Sequence, residues 1–317
     1  MKPAQPDSIA TAAADALRAF DELNGPHPGF RPAHAKGILL SGRFTPSSRA
    51  PGLSRAPHFR RGSTPVSVRF SDFGGIPNIP DTSADASPRG FALRFHLAEH
   101  VHTDIIAHSA DGFPTRTAEE FTEFLHAIAA SGPGAPKPSP IESFLATHPA
   151  AARFAQMPKP VPASFATVSY FGVSAYKFIN GEGLENYGRY RIRPDGASTY
   201  LDPASVATQP PDFLFEEIEK RLAEGAIKMR IAVQLADARD VVNDSTVQWP
   251  NERPEVEIGT VELTAVQPDN DAEQRHIIFD PIPRVDGIEP SDDPLLDVRA
   301  NLYLMSGRRR RSEGPRT

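Results

Sequence analysis

Residues 8 to 23 (SIATAAADALRAFDEL) place apolar side chains at helical spacing, with Asp7 or Ser8 available as a cap and Gly25 just beyond the end. This predicts an N-terminal helix. From Gly25 to about Pro65 the chain is rich in Pro, Gly, Ser and Arg and reads as loop, interrupted by an apolar stretch around Ile38 to Leu40. Partial alternation in PVSVRFSD (65–72) and RGFALRFHL (89–97), each bounded by Gly and Pro, predicts two strands. Further strand-like runs lie at 167–179, 187–193, 227–236, 256–266 and 275–279. Most of them interleave polar and apolar residues, which favours an antiparallel sheet or barrel.

Two helices open between these groups of strands. Thr117-Ala118-Glu119-Glu120 carries a capping-box pattern, and Ser139-Pro140-Ile141-Glu142 puts proline at the first helical position. Residues 128–165 are dense in proline and alanine and suit a helical connection. Ser291-Asp292-Asp293 precedes a run from Pro294 to Tyr303 that is acidic at its start, apolar at helical spacing and followed by Gly307, which predicts a C-terminal helix. The expected fold is α+β: an antiparallel β-barrel core with surrounding helices. Its expected division is an N-terminal helix over 1–24, one domain over 25–311 and a tail over 312–317.

Charge and composition narrow the function. The net charge of −6 over 317 residues, with both signs mixed along most of the chain, argues against an extended nucleic-acid or membrane footprint. Arg308 to Arg311 form the one basic run. The absence of cysteine excludes disulfides, thiolate metal sites, iron–sulfur clusters and cysteine nucleophiles, so a bound metal needs N or O ligands. The chain opens Met-Lys-Pro-Ala-Gln-Pro-Asp without an apolar leader, and no apolar run approaches the roughly 20 residues of a membrane span. A cytoplasmic protein is expected.

Arg299 and Tyr303 lie at i and i+4 on the last helix and share one face. A tyrosine with a pKa near 10 is a poor ligand, because only the phenolate binds iron well. A guanidinium at about 4 Å supplies on the order of 4 kcal/mol at an effective dielectric of 20, before desolvation, and would hold Tyr303 ionised. By spacing alone, a surface arginine beside a half-buried tyrosine is the better description. His34, in FRPAHAKGILL, is a candidate general base for a peroxide proton, but it is one of 10 histidines and says little alone.

Read together, the words around these residues resemble the haem catalase superfamily from about Gly29 to Arg311. Phe30-Arg31-Pro32-Ala33-His34-Ala35-Lys36-Gly37 resembles the distal-histidine segment. Val68-Arg69-Phe70-Ser71 and Ala84-Asp85-Ala86-Ser87-Pro88-Arg89-Gly90-Phe91-Ala92 resemble the two strand motifs that follow it. Asp280-Pro281 with Pro283, Gly287-Ile288-Glu289-Pro290-Ser291 and Arg299-x-x-x-Tyr303 resemble the proximal motif.

The resemblance implies haem b as cofactor, with Tyr303 as axial ligand, Arg299 its charge partner, His34 the distal acid–base residue and Ser71 fixing the tautomer of His34. Arg31, Arg69 and Arg310 match positions that pair with haem propionates; Arg308, Arg309 and Arg311 then read as a solvated patch. Phe121 matches the haem-face aromatic and Phe113 a channel phenylalanine, though by spacing either suits plain core.

One position departs from the family pattern: His108 stands where catalases carry an asparagine that orients peroxide for the oxidative half-reaction. The chain is also short for a catalase. Both features, with Tyr170-Phe171-Gly172-Val173-Ser174-Ala175-Tyr176-Lys177-Phe178 and Gly188-Arg189-Tyr190-Arg191, are similar to the shorter catalase-related peroxidases. The implied activity is haem-dependent reduction of hydrogen peroxide or organic peroxides with a small organic donor, and at best weak catalase activity. Rearrangement of a lipid hydroperoxide, haem binding or sensing without turnover, and a globular protein without haem are the alternatives. The resemblance leaves oligomeric state open, a homo-oligomer included, and no Gly-rich motif supports a nicotinamide cofactor.

Overall fold

The computed structural model describes residues 6–313. Residues 1–5 and the tail residues 314–317 lie outside it. Among the described residues ten strands are formed: β1 (Gly37–Pro46), β2 (Thr64–Ser71), β3 (Gly90–Ala98), β4 (Val101–His108), β5 (Tyr170–Phe171), β6 (Tyr176–Ile179), β7 (Glu185–Pro194), β8 (Ile227–Leu235), β9 (Glu255–Val266) and β10 (Ile288–Pro290). Pairing runs antiparallel in the order β1-β2-β3-β4-β5-β7-β8-β9 and returns to β1, closing the barrel. Strand β6 leaves the barrel from β7 and carries β10 on its outer edge.

Alternation along the strands sorts side chains between two environments. On β2, Val66, Val68 and Phe70 fill the barrel interior, while Arg69 and Ser71 point outward. On β3, Phe91, Leu93 and Phe95 belong to that interior, and on β4 Ile105 does, leaving His108 on the outer side. Among the described residues the helices are α1 (Pro6–Asn24), α2 (Ala50–Leu53), α3 (Pro57–Arg60), α4 (Ala118–Ala129), α5 (Pro140–Thr147), α6 (Pro149–Gln156), α7 (Pro203–Ala207), α8 (Phe213–Glu224), α9 (Asn270–His276) and α10 (Leu295–Glu313). Around Ser71, Gly90 and His108 the outer face of the barrel is covered by α1, α4 and α10, which line the same cavity as those residues. Helices α1, α4 and α10 share a second apolar cluster of Ala13, Ala16, Ala19, Phe20, Leu125 and Leu302. The site lies between that cluster and the barrel.

Several local expectations change. Helix α1 begins at Pro6, so Asp7 and Ser8 sit inside its first turn instead of capping it. The stretch read as loop contains β1, a central strand bonded to both β2 and β9, because its run of apolar residues is buried on both faces. Residues 167–179 divide into a 3₁₀ turn and two short strands. Residues 275–279 are not a strand: α9 ends within them, and their carbonyls are taken by arginines instead of a neighbouring strand. Helix α10 runs through Gly307 to Glu313, since Gly307 packs against Ile278, where an added Cβ would meet the isoleucine at 2.3 Å. Helix α5 has its full capping box, whereas Thr117 caps α4 alone and Glu120 turns to the backbone N–H of Arg116.

Candidate active site

The distal wall is set by strand register. Ser71 of β2, Gly90 of β3 and His108 of β4 lie opposite one another in one row, flanked by Gly37 of β1 and Phe171 of β5. Residues paired in this way share a face. Gly90 leaves that face open: a Cβ there would come within 2.4 Å of Ser71 Oγ and 2.6 Å of His34 Nδ1. His34 occupies the space, held in the left-handed region at φ 55° by its backbone N–H donating to the Phe73 carbonyl at 2.8 Å. Its Nδ1 lies 3.0 Å from Ser71 Oγ, and its ring meets Phe73 edge-on at 5.2 Å. Burial, with Arg69, His108 and Arg31 nearby, lowers its pKa to about 3. The imidazole is neutral at physiological pH and therefore able to take a proton.

The proximal wall is one face of α10. Arg299, Tyr303, Ser306 and Arg310 recur at helical spacing and all line the same cavity as His34, Ser71 and His108. Arg299 donates to the Tyr303 hydroxyl at 3.3 Å and to Ser174 Oγ at 3.3 Å. Burial opposes the charge on Arg299, yet Tyr303 and Tyr176 hold its pKa above the ordinary value. Counted with the open solvent at its mouth, the cavity has about 1270 Å³ of empty space.

At one edge the cavity is ringed by three arginines. Arg31 donates to the carbonyls of Gln274 and Ile277, both at 3.0 Å. Arg69 donates to Gln274 Oε1 at 2.8 Å and to the His34 carbonyl at 2.9 Å; Arg310 donates to Ser306 Oγ and the Ile277 carbonyl, both at 2.9 Å. The last carbonyls of a helix are unpaired within it and bear partial negative charge, which explains why the end of α9 attracts these cations. None of the three has a carboxylate partner among the described residues. Burial and mutual repulsion lower the pKa of Arg69 to about 9 and, with Arg311 and Arg309 as the repelling neighbours, that of Arg310 to about 10; that of Arg31 falls well below its ordinary value. The Nε of Arg310 is buried without a partner.

All ten candidates from the sequence line this one cavity: Arg31, His34, Arg69, Ser71, His108, Phe113, Phe121, Arg299, Tyr303 and Arg310. Phe113 and Phe121 stack obliquely at 5.4 Å, and Phe121 meets Phe20 of α1 at 5.7 Å. The basic run is less solvated than expected, because Arg309 pairs with Asp21 of α1 at 2.5 Å and Arg311 bonds the His276 carbonyl. Sequence reasoning missed Phe20 and Ala16, whose spacing reads only as helix core, and Gly90 and Gly37, whose value lies in the space they leave. At Gly37 a Cβ would meet the Arg69 guanidinium at 2.2 Å.

Comparison with known proteins agrees with this architecture. The Catalase family model matches residues 12–315. The chain is 35% identical over 301 residues to a catalase-related peroxidase of Mycolicibacterium paratuberculosis, covering 93% of this chain and 92% of that protein. It is 33% identical over 294 residues to a catalase-related peroxidase of Synechococcus elongatus, covering 92% and 86%. A fungal catalase structure superposes with a TM-score of 0.78 at 23% identity, over 93% of this chain but 61% of that one, and catalase A from Saccharomyces cerevisiae with 0.77 at 24%, over 94% and 64%. The chain thus spans about three fifths of those longer catalases, and at such identities the likeness is one of fold. With a family match over nearly its whole length and two relatives above 30% identity, the chain belongs to the catalase family.

Proposed function

We propose that the chain holds haem b in this cavity and reduces hydrogen peroxide or organic peroxides at the expense of a small organic donor. The observation that carries the reading is the arginine trio. Three guanidiniums, Arg69 and Arg310 buried and Arg31 half-buried, with no carboxylate partner among the described residues, suit a group that brings two carboxylates, and arginine matches their planar geometry. The rest of the cavity suits the same group. Phe20, Val298, Leu302, Phe113 and Phe121 supply apolar contact, Tyr303 an oxygen ligand on one wall, and His34 an imidazole on the other. When bound, haem supplies an iron centre able to take up the two oxidising equivalents of peroxide and pass them to a donor.

The residues then divide the proton chemistry. Ser71, accepting from Nδ1–H of His34, leaves the Nε2 lone pair free to take the proton of an incoming hydroperoxide. His34 returns that proton to the departing oxygen, which leaves as water or an alcohol. Arg299 donates to the Tyr303 oxygen, the atom that would hold the iron, and so fixes its position. A Soret band in the purified protein, followed by peroxide-dependent oxidation of a phenolic dye, is the expected outcome. A protein supplied with haem that shows no such band refutes the proposal.

A further inference from the structure

Resting on the haem peroxidase reading, we infer that Gln274 of α9 is a positioning residue for haem: a neutral amide that aims Arg69 into the cavity and leaves its charge for a carboxylate of the bound group. The guanidinium of Arg69 is fixed along one edge. Its Nε donates to Gln274 Oε1 at 2.8 Å, and Nη2 donates to the carbonyls of His34 and Ala35 at 2.9 and 3.3 Å. Nη1 has no acceptor among the described residues, and Arg69 lines the cavity. The free end of the fork is therefore set by what holds the other two nitrogens.

The amide of Gln274 can face only one way. Its Nε2 donates to the Gly37 carbonyl at 2.9 Å and to Asn270 Oδ1 at 3.2 Å. Turned over, it would set an NH2 against the guanidinium and an oxygen against two acceptors. Asn270 Oδ1 also accepts from the Leu39 N–H at 2.8 Å, which ties the pair to β1. Gly37 completes the seat, because the guanidinium lies where its side chain would stand.

A second arginine shows the alternative. Arg94 of β3 reaches the same segment, donating to the Ile278 carbonyl, but Asp104 holds it through two bonds at 2.9 and 2.7 Å and neutralises it. A carboxylate at 274 would do the same to Arg69. With glutamine there, the buried charge stays uncompensated beside Arg310, and its pKa falls to about 9. An arriving carboxylate relieves that cost.

Haem loss to excess apomyoglobin, followed by absorbance, would compare wild type, Gln274→Glu and Gln274→Leu, each loaded with haem or with its dimethyl ester, which has no free carboxylate. Gln274→Glu keeps an acceptor against Arg69 but brings its own charge, so it should release haem about tenfold faster or more. Gln274→Leu, which frees the guanidinium, should do so by a similar factor. The ester should leave all three proteins at rates within about threefold of one another, because the effect passes through the carboxylate. Wild-type haem release from either variant overturns the inference. So does an equal acceleration for haem and its ester, which would make Gln274 merely structural. If the glutamate variant does not fold, Gln274→Leu carries the same test. A wild type that takes up no haem refutes the haem reading itself, a result distinct from unchanged release.

Discussion

The two walls of the cavity are built by different kinds of order. On the proximal wall, Arg299, Tyr303, Ser306 and Arg310 are spaced by the pitch of one helix, so each is placed by its own neighbours in sequence. On the distal wall, Ser71, Gly90 and His108 come from three strands and meet only through register, with His34 lowered into the gap from a loop. Register has a period of two, so a slip of one residue in β2 or β4 would turn Ser71 or His108 to the barrel interior. The proximal wall should therefore tolerate single substitutions as local events, whereas the distal wall should respond as a unit.

Tyr303→Phe and His34→Ala test the contrast most sharply. Tyr303→Phe should abolish or visibly alter haem ligation in the absorbance spectrum while the fold persists. His34→Ala should retain haem but react with peroxide about 10²- to 10⁴-fold more slowly by stopped flow. Unchanged spectra and rates in both would remove the site assignment.

Gly90→Ala comes next. Its Cβ would displace both Ser71 and His34, so one methyl group should cost about as much peroxide reactivity as a lost general base. Wild-type rates in this variant would mean that the distal row is not a unit. Arg310→Met should weaken haem binding by about tenfold, while stabilising the haem-free protein by about 1 kcal/mol in urea unfolding, because it removes an uncompensated buried charge. If haem-free stability fell instead, the trio would be structural.

The smallest effect concerns the barrel core. His58 is buried among Phe44, Phe59 and Phe95 with both ring nitrogens unpartnered. Burial, with Arg61 nearby, lowers its pKa from 6.5 to about 3. Below pH 6.5 the unfolded chain binds a proton that the folded one refuses, so its contribution to stability is lost as pH falls from about 6.5 towards 3. His58→Leu should add about 1 kcal/mol at neutral pH and flatten the acid decline by up to about 1.4 kcal/mol per pH unit. Parallel pH–stability curves for the two proteins would contradict this.

The legibility of each part follows from the range of the interactions that shape it. Alternation in PVSVRFSD and RGFALRFHL marked β2 and β3 because one strand face meets the barrel core. The i, i+4 pair Arg299 and Tyr303 could be placed on a shared face because helix geometry is local. By contrast, β1 is a strand because β2 and β9 flank it and Asn270 Oδ1 accepts from the Leu39 N–H at 2.8 Å, none of which its own residues announce. Residues 275–279 have apolar strand character, but arginines remote in sequence claim their carbonyls.

By itself, the amino-acid order determined the barrel-forming alternation, the helix faces and the ordered motifs that mark the family, since these depend on residue type and near-neighbour spacing. Only the tertiary structure decided that α1 lends Phe20 to the cavity wall and that the missing side chain at Gly90 makes room for the His34–Ser71 pair. The reason is physical. Empty space and hydrogen-bond direction are properties of surfaces brought together from distant parts of the chain, and no single segment carries them.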